Sequence, residues 1–187
     1  MRTIEEFEKC VEITGFRNIR IENVEGFIKA LRNEKLPDIE IQFFNAQYVA
    51  TWQHLYFAAL NALTAFNNGE NLSKNIAVET LLYASAQRQI RKAMQMMGIT
   101  ADTRDVAVLI IGKKTRNIES VLTAISNHLK AEPDDSVLEL SSDKSKSIRK
   151  IFGILDEEVQ TIKKKSDSCQ ALVDLVIERM ALLSTQH

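Results

Sequence analysis

Residues 39–69 read IEIQFFNAQYVATWQHLYFAALNALTAFNNG, a strand signal running straight into a long apolar helix. The first six residues combine β-branched and aromatic side chains, the composition of a strand. Tyr48, Trp52, Leu55, Ala59, Ala62, Leu63 and Phe66 then recur every three or four residues, the period of a helix. Asn67-Asn68-Gly69 closes it, with Gly69 as a left-handed stop. After Asn71-Leu72-Ser73 the spacing of Ile76, Tyr83, Ile90, Met94 and Met97 predicts a second long helix, ending before Gly98. Two long helices in succession do not fit strictly alternating β and α units. The fold predicted is α+β: a helix-rich single domain with a small, largely antiparallel mixed sheet and long central helices.

The flanks extend this frame. Residues 3–9 predict a short helical turn, and residues 10–21 a strand with a turn or bulge at Gly15. Val24, Phe27, Ile28 and Leu31 predict a helix capped by Asn23 and stopped by Pro37-Asp38. VAVLII at 106–111 is a strand covered on both faces, and 118–129 a helix. Pro133-Asp134-Asp135 is a turn, 137–140 a short strand. Ser141-Ser142-Asp143 caps a helix through Phe152, broken by Gly153. Leu155 and Asp156 open another, and residues 168–183 are amphipathic. Residues 1–187 read as one domain, with 143–187 as a C-terminal helical segment packed on it.

The chain has 187 residues, 45% hydrophobic and 26% charged, with six Gly and two Pro. That is the mix of a globular protein rather than a fibrous or disordered one. No apolar run approaches the roughly 20 residues of a membrane span, and the acidic, polar start does not read as a secretory signal. Cys10 and Cys169 lie far apart with no C-x-x-C, which suits free thiols in a reducing cytosol. Lys plus Arg total 24 and Asp plus Glu 25, for a formal net charge of −1. A protein that coats nucleic acid by bulk charge would be basic. RNA binding by this chain would need a local patch or pocket.

Catalytic motifs are lacking. His54, His128 and His187 have no Cys, His or carboxylate at zinc-ligand spacing, so no metal site is expected. His54, on an apolar helix, reads as a hydrogen-bonded structural histidine. Gly112-Lys113-Lys114-Thr115 follows a strand, but the first glycine of a phosphate loop would fall at Ala107, so a nucleotide site is rejected. Basic clusters occur at Arg88, Arg91 and Lys92; at Lys113, Lys114 and Arg116; at Lys144, Lys146, Arg149 and Lys150; and at residues 163–165. In a continuous helix Ser85, Arg88, Gln89 and Lys92 would share one side. A guanidinium and amides there suit phosphates and base edges; a buried polar network is the other reading.

The run NLSKNIAVETLLYASAQRQI at 71–90, followed by Gly98-Ile99, resembles the small regulatory subunit of the KEOPS tRNA-modification complex, whose eukaryotic counterpart is called PRPK-binding protein. Phe44-Asn45-Ala46 through His54-Leu55 and Asn61-Ala62, Ile151-Phe152-Gly153-Ile154 with Glu157-Glu158, and LVIERMALL at 175–183 are similar to further segments of that family. The likeness spans residues 10–183 and is closest to archaeal members. It implies a non-catalytic protein without cofactors. It also implies three partners: a small atypical kinase that acts as an ATPase, an ASKHA-fold threonylcarbamoyltransferase subunit, and tRNA gripped by its single-stranded 3′ CCA end. The implied product is N6-threonylcarbamoyladenosine. The tRNA-binding residues expected are Asn71, Ser73, Lys74 and Asn75, at a helix start whose N–H groups favour phosphate, and Ser85, Arg88, Gln89 and Lys92. The kinase-docking residues expected are Leu172, Leu175, Val176, Arg179, Leu182 and Leu183. The alternative kept is a purely protein-interacting activator of the kinase.

Overall fold

The computed structural model describes residues 1–34, 38–163 and 168–185. Four strands form one antiparallel sheet in the order β1 (Arg2–Ile4), β2 (Lys9–Phe16), β4 (Val106–Gly112), β3 (Glu40–Asn45). Every residue of β4 is buried. The period of two along that strand divides the interior. Ala107, Leu109 and Ile111 face one core cluster, while Val106, Val108 and Ile110 face the other. Helices α1 (Val24–Glu34) and α5 (Thr115–Leu129) cover the second face. The first is covered by α2 (Trp52–Asn68), α3 (Ile76–Ala84), α4 (Ile90–Met97), α6 (Ser142–Phe152) and α8 (Ser168–Ala181), with α7 (Asp156–Lys163) packed beside α8. Helix far outweighs strand, as the α+β reading requires.

Local chemistry sets most boundaries. Asn23 Oδ1 accepts from the Gly26 amide at 2.9 Å, and Ser141 Oγ from the Lys144 amide at 3.2 Å, each satisfying an orphan donor of a first turn. Helix α2 ends at Gly69 (φ +71°) and α6 at Gly153 (φ +62°). Pro37, the expected stop of α1, lies outside the described residues.

Several expectations change. The predicted turn at 3–9 is strand β1 followed by one 3₁₀ turn, Glu5–Phe7. Strand β2 stops at Phe16; Ile19 and Ile21 continue into the second core without pairing in the sheet. Gly15 is no turn. It pairs with Ala107, and a Cβ there would lie 1.9 Å from Val137 Cγ2, because residues 134–137 cross directly over it. The Asp134 amide donates to Gly15 O at 2.7 Å. The strand expected at 137–140 is a 3₁₀ turn, Asp135–Leu138. It is held from below by Lys144, whose Nζ donates to Val137 O at 2.6 Å and Glu139 O at 3.1 Å.

Candidate functional site

The second long helix is two helices. Helix α3 ends at Ala84, and α4 begins at Ile90. The Ala86 amide donates to Tyr83 O at 2.9 Å and the Gln87 amide to Leu82 O at 3.0 Å. This pair of bonds is the Schellman ending of a helix, and it places Ala86 at φ +50°, where glycine normally sits. Ser85, Arg88, Gln89 and Lys92 therefore do not share one helical side. Ser85 is buried, and its hydroxyl donates to Leu81 O at 2.8 Å. Arg88, Gln89 and Lys92 lie on the surface, around the start of α4.

The loop before α3 uses its polar groups on itself. Buried Glu79 accepts from the Leu72 amide at 3.1 Å and the Ser73 amide at 2.7 Å. Asn71 donates to Ser73 O, and Ser73 Oγ to Asn75 O, both at 2.8 Å. Asn75 caps α3 through the Val78 amide at 3.0 Å and reaches Glu40 at 3.1 Å. Of the four loop residues expected at a phosphate, Lys74 is exposed and makes no such bond among the described residues. The nine residues of α3, about 13 Å of helix, stand between the loop and the break that carries Arg88. Glu79 was missed in the sequence; its signal is one carboxylate inside the apolar run IAVETLLYA.

The break opens onto the C-terminal helix. Ala86, Gln87, Met96, Ile151, Phe152 and Leu182, with Ser85 and Arg179, line a pocket of about 160 Å³. Residues expected at RNA and residues expected at the kinase thus meet. Leu172, Leu175, Val176 and Leu183 are buried in this chain's own core. Arg179 binds Glu158 of α7. Of the six residues expected to dock, only Leu182, 43% exposed, offers a large apolar surface outward. Ile90 and Met94, one turn apart on α4, are similarly exposed at 48% and 46%.

His54 belongs to the scaffold of this region. Its Nδ1 accepts from the Ala50 amide at 3.1 Å, and its Nε2 donates to Ala84 O at 2.8 Å. Burial pushes its pKa down to about 4, so the ring is neutral at physiological pH. Among the described residues no three His, Cys, Asp or Glu side chains group as a metal site, and no helix is long and apolar enough to cross a membrane. His187 and residues 164–165 lie outside the described residues. Gly112 answers to packing, since a Cβ there would lie 2.4 Å from Ile39 Cδ1.

Comparison with known proteins places the chain beside a family and two relatives. The family model described as kinase binding protein CGI-121 matches residues 16–184. A protein of Methanocaldococcus jannaschii named regulatory protein Cgi121 is 32% identical over 142 residues, covering 76% of this chain and 83% of the relative. The EKC/KEOPS complex subunit CGI121 of Yarrowia lipolytica is 29% identical over 85 residues, covering 44% of this chain and 50% of that protein.

Proposed function

Because the chain belongs to the CGI-121 kinase binding protein family, we propose that it is a non-catalytic regulatory subunit of a KEOPS-type complex in the cytosol. In this reading it docks on the small atypical kinase of that complex. It also helps bring tRNA, held by its 3′ CCA end, to the ASKHA-fold subunit that forms N6-threonylcarbamoyladenosine. The observation that carries the reading is the family match over residues 16–184, nearly the whole described chain.

The surface at the helix break supplies suitable chemistry. A single-stranded end is read by hydrogen bonds to its exposed edges and by contacts to its bases and phosphates. Arg88 and Gln89 supply donors, Lys92 supplies charge, and the neighbouring pocket supplies apolar walls from Met96 and Phe152. Leu182 at the rim of that pocket is the apolar anchor left for the kinase, and interfaces rest on a few such anchors. A second reading, a protein-interacting activator without its own tRNA affinity, draws on the exposed Ile90 and Met94 beside Arg91 and Lys92.

The test is a gel shift with the purified chain and two substrates, intact tRNA and tRNA lacking CCA, beside capture by the purified kinase. Preference for intact tRNA together with kinase capture supports the first reading. Capture without any tRNA shift selects the second. Absence of capture overturns both.

A further inference from the structure

Helix α6 carries basic side chains that the surface at the helix break does not use. Lys146, Arg149 and Lys150 recur at three- and four-residue spacing, opposite the buried Ile148 and Phe152. With Gly153, Ile154 and Leu155 they line a shallow depression of about 380 Å³. Lys146 and Lys150 are exposed, and Leu155 is among the most exposed large apolar residues described.

The counter-ions on this shelf are weakly held. Asp143 pairs with Lys146 and Asp156 with Arg149, but these carboxylates are 89% and 82% exposed. Pairs of that kind contribute little and exchange readily with other anions. Lys150 has no ion pair among the described residues. Arg149 is incompletely satisfied: Nη2 holds Asp156 while Nε is buried with no hydrogen-bond partner. A guanidinium in that state gains by turning an edge to an anion with two acceptor oxygens, which a phosphate has and which makes paired bonds.

Position selects the source of the phosphate. Residues 151 and 152 line the pocket at the helix break, and residues 153–155 line the shelf, so the two adjoin through the end of α6. Arg88, Arg91 and Lys92 lie at the break, and Lys146, Arg149 and Lys150 on the far side of the end of α6. A small anion would occupy one point of this track. Basic side chains whose Cβ atoms lie about 5–6 Å apart along one helix face suit the successive phosphates of a nucleic-acid strand.

We propose that this shelf is a second RNA contact, holding backbone phosphates of the tRNA whose 3′ end lies against residues 85–92; it rests on the RNA reading given above. Contacts to phosphates position a strand without reading its sequence. The shelf therefore acts on intact and end-trimmed tRNA alike, and its contribution is salt-dependent.

The experiment measures binding of the full chain to intact tRNA and to tRNA lacking CCA, from low to moderate salt. Lys146→Glu with Lys150→Glu should weaken both by about tenfold or more at low salt. The salt dependence should become shallower by about 1.5 to 2 in log–log slope. Lys146→Gln with Lys150→Gln should show the same slope change with a smaller loss, and Arg at both positions should restore binding. A control with the same charge change, Lys113→Glu with Lys114→Glu, should leave binding near wild type. An unchanged slope in the α6 variants, or an equal loss in the control, overturns the shelf while leaving the end-binding reading intact. A wild-type chain without salt-dependent tRNA binding overturns both.

Discussion

His54 Nε2 donates to the backbone carbonyl of Ala84 across 2.8 Å, tying α2 to the last turn of α3 where the chain breaks away. The Ala50 amide fills the other ring nitrogen, so both are used only while the imidazole is neutral. Its pKa falls from 6.5 to about 4, chiefly through burial. The unfolded chain binds this proton more readily, so stability is fully present above pH 6.5 and is lost as pH falls through 4. The full difference is about 3 kcal/mol. Urea midpoints measured from pH 7.5 to 4 should fall along that course. His54→Gln should start lower and give a flatter curve over the same window. An equally steep curve would assign the acid sensitivity to other groups.

Ala86 occupies a left-handed position without being glycine. The Cβ penalty there is about 1–2 kcal/mol, against the backbone entropy glycine loses on folding, about 0.5–1 kcal/mol. Ala86→Gly should raise stability by up to about 1 kcal/mol. Ala86→Val, β-branched and so less tolerant of positive φ, should lower it by more than about 1 kcal/mol. Thermal denaturation of the two variants checks the order. A less stable Ala86→Gly would mean that its partly buried methyl group, packed on the core, outweighs the strain.

The same residue shows why part of the site escaped a sequence reading. Alanine is the best helix former, so the stretch after Ser73 up to Met97 reads as one helix although tertiary packing ends it at Ala84. Signals that act locally were legible: Asn23, Ser141, Gly69 and Gly153 each work on the turn beside them, and VAVLII announces burial on both faces by lacking any polar residue. Gly15 reads in sequence as a turn or bulge, and Gly112 carries no sequence signal of its role. Their reasons are Val137 and Ile39, side chains remote in sequence that come too close for a Cβ. The C-terminal stripe was legible as apolar. Periodicity alone does not say whether Leu172, Leu175 and Val176 meet a partner or this chain's own core, and they meet the core. Lys144, buried against backbone carbonyls, looks in sequence like an ordinary surface charge among its basic neighbours.

Neighbouring leucines in the 3₁₀ turn that follows α8, Leu182–Thr185, should separate docking from folding. Leu183 is 3% exposed and joins the core, whereas Leu182 is 43% exposed at the rim of the pocket. Leu183→Glu buries an unpaired charge and should cost several kcal/mol. Leu182→Glu should leave the melting temperature within a few degrees of wild type while weakening kinase capture by tenfold or more. Undiminished capture by a folded Leu182→Glu chain would place the kinase interface elsewhere.

Ser85 and Arg88, three residues apart, should respond to substitution in opposite ways. The Ser85 hydroxyl donates to Leu81 O and Leu82 O inside the end of α3, leaving it little to offer a ligand. Ser85→Ala removes donor and acceptor from a helix end that keeps its backbone bonds, so stability should fall by no more than about 1 kcal/mol and tRNA affinity should not move. Arg88 is exposed at the break, so Arg88→Glu should leave the melting temperature near wild type. If its guanidinium holds a phosphate or a base edge, the reversal costs about 1–3 kcal/mol of binding, roughly a factor of 5 to 150. Trimming CCA from the wild-type substrate should reproduce most of that loss, and trimming should add little in the Arg88→Glu background, because one contact is lost only once. Binding titrations of both proteins with both RNAs close this cycle. Full additivity would detach Arg88 from the 3′ end, and a large loss in Ser85→Ala would return the RNA contact to the inner side of the break.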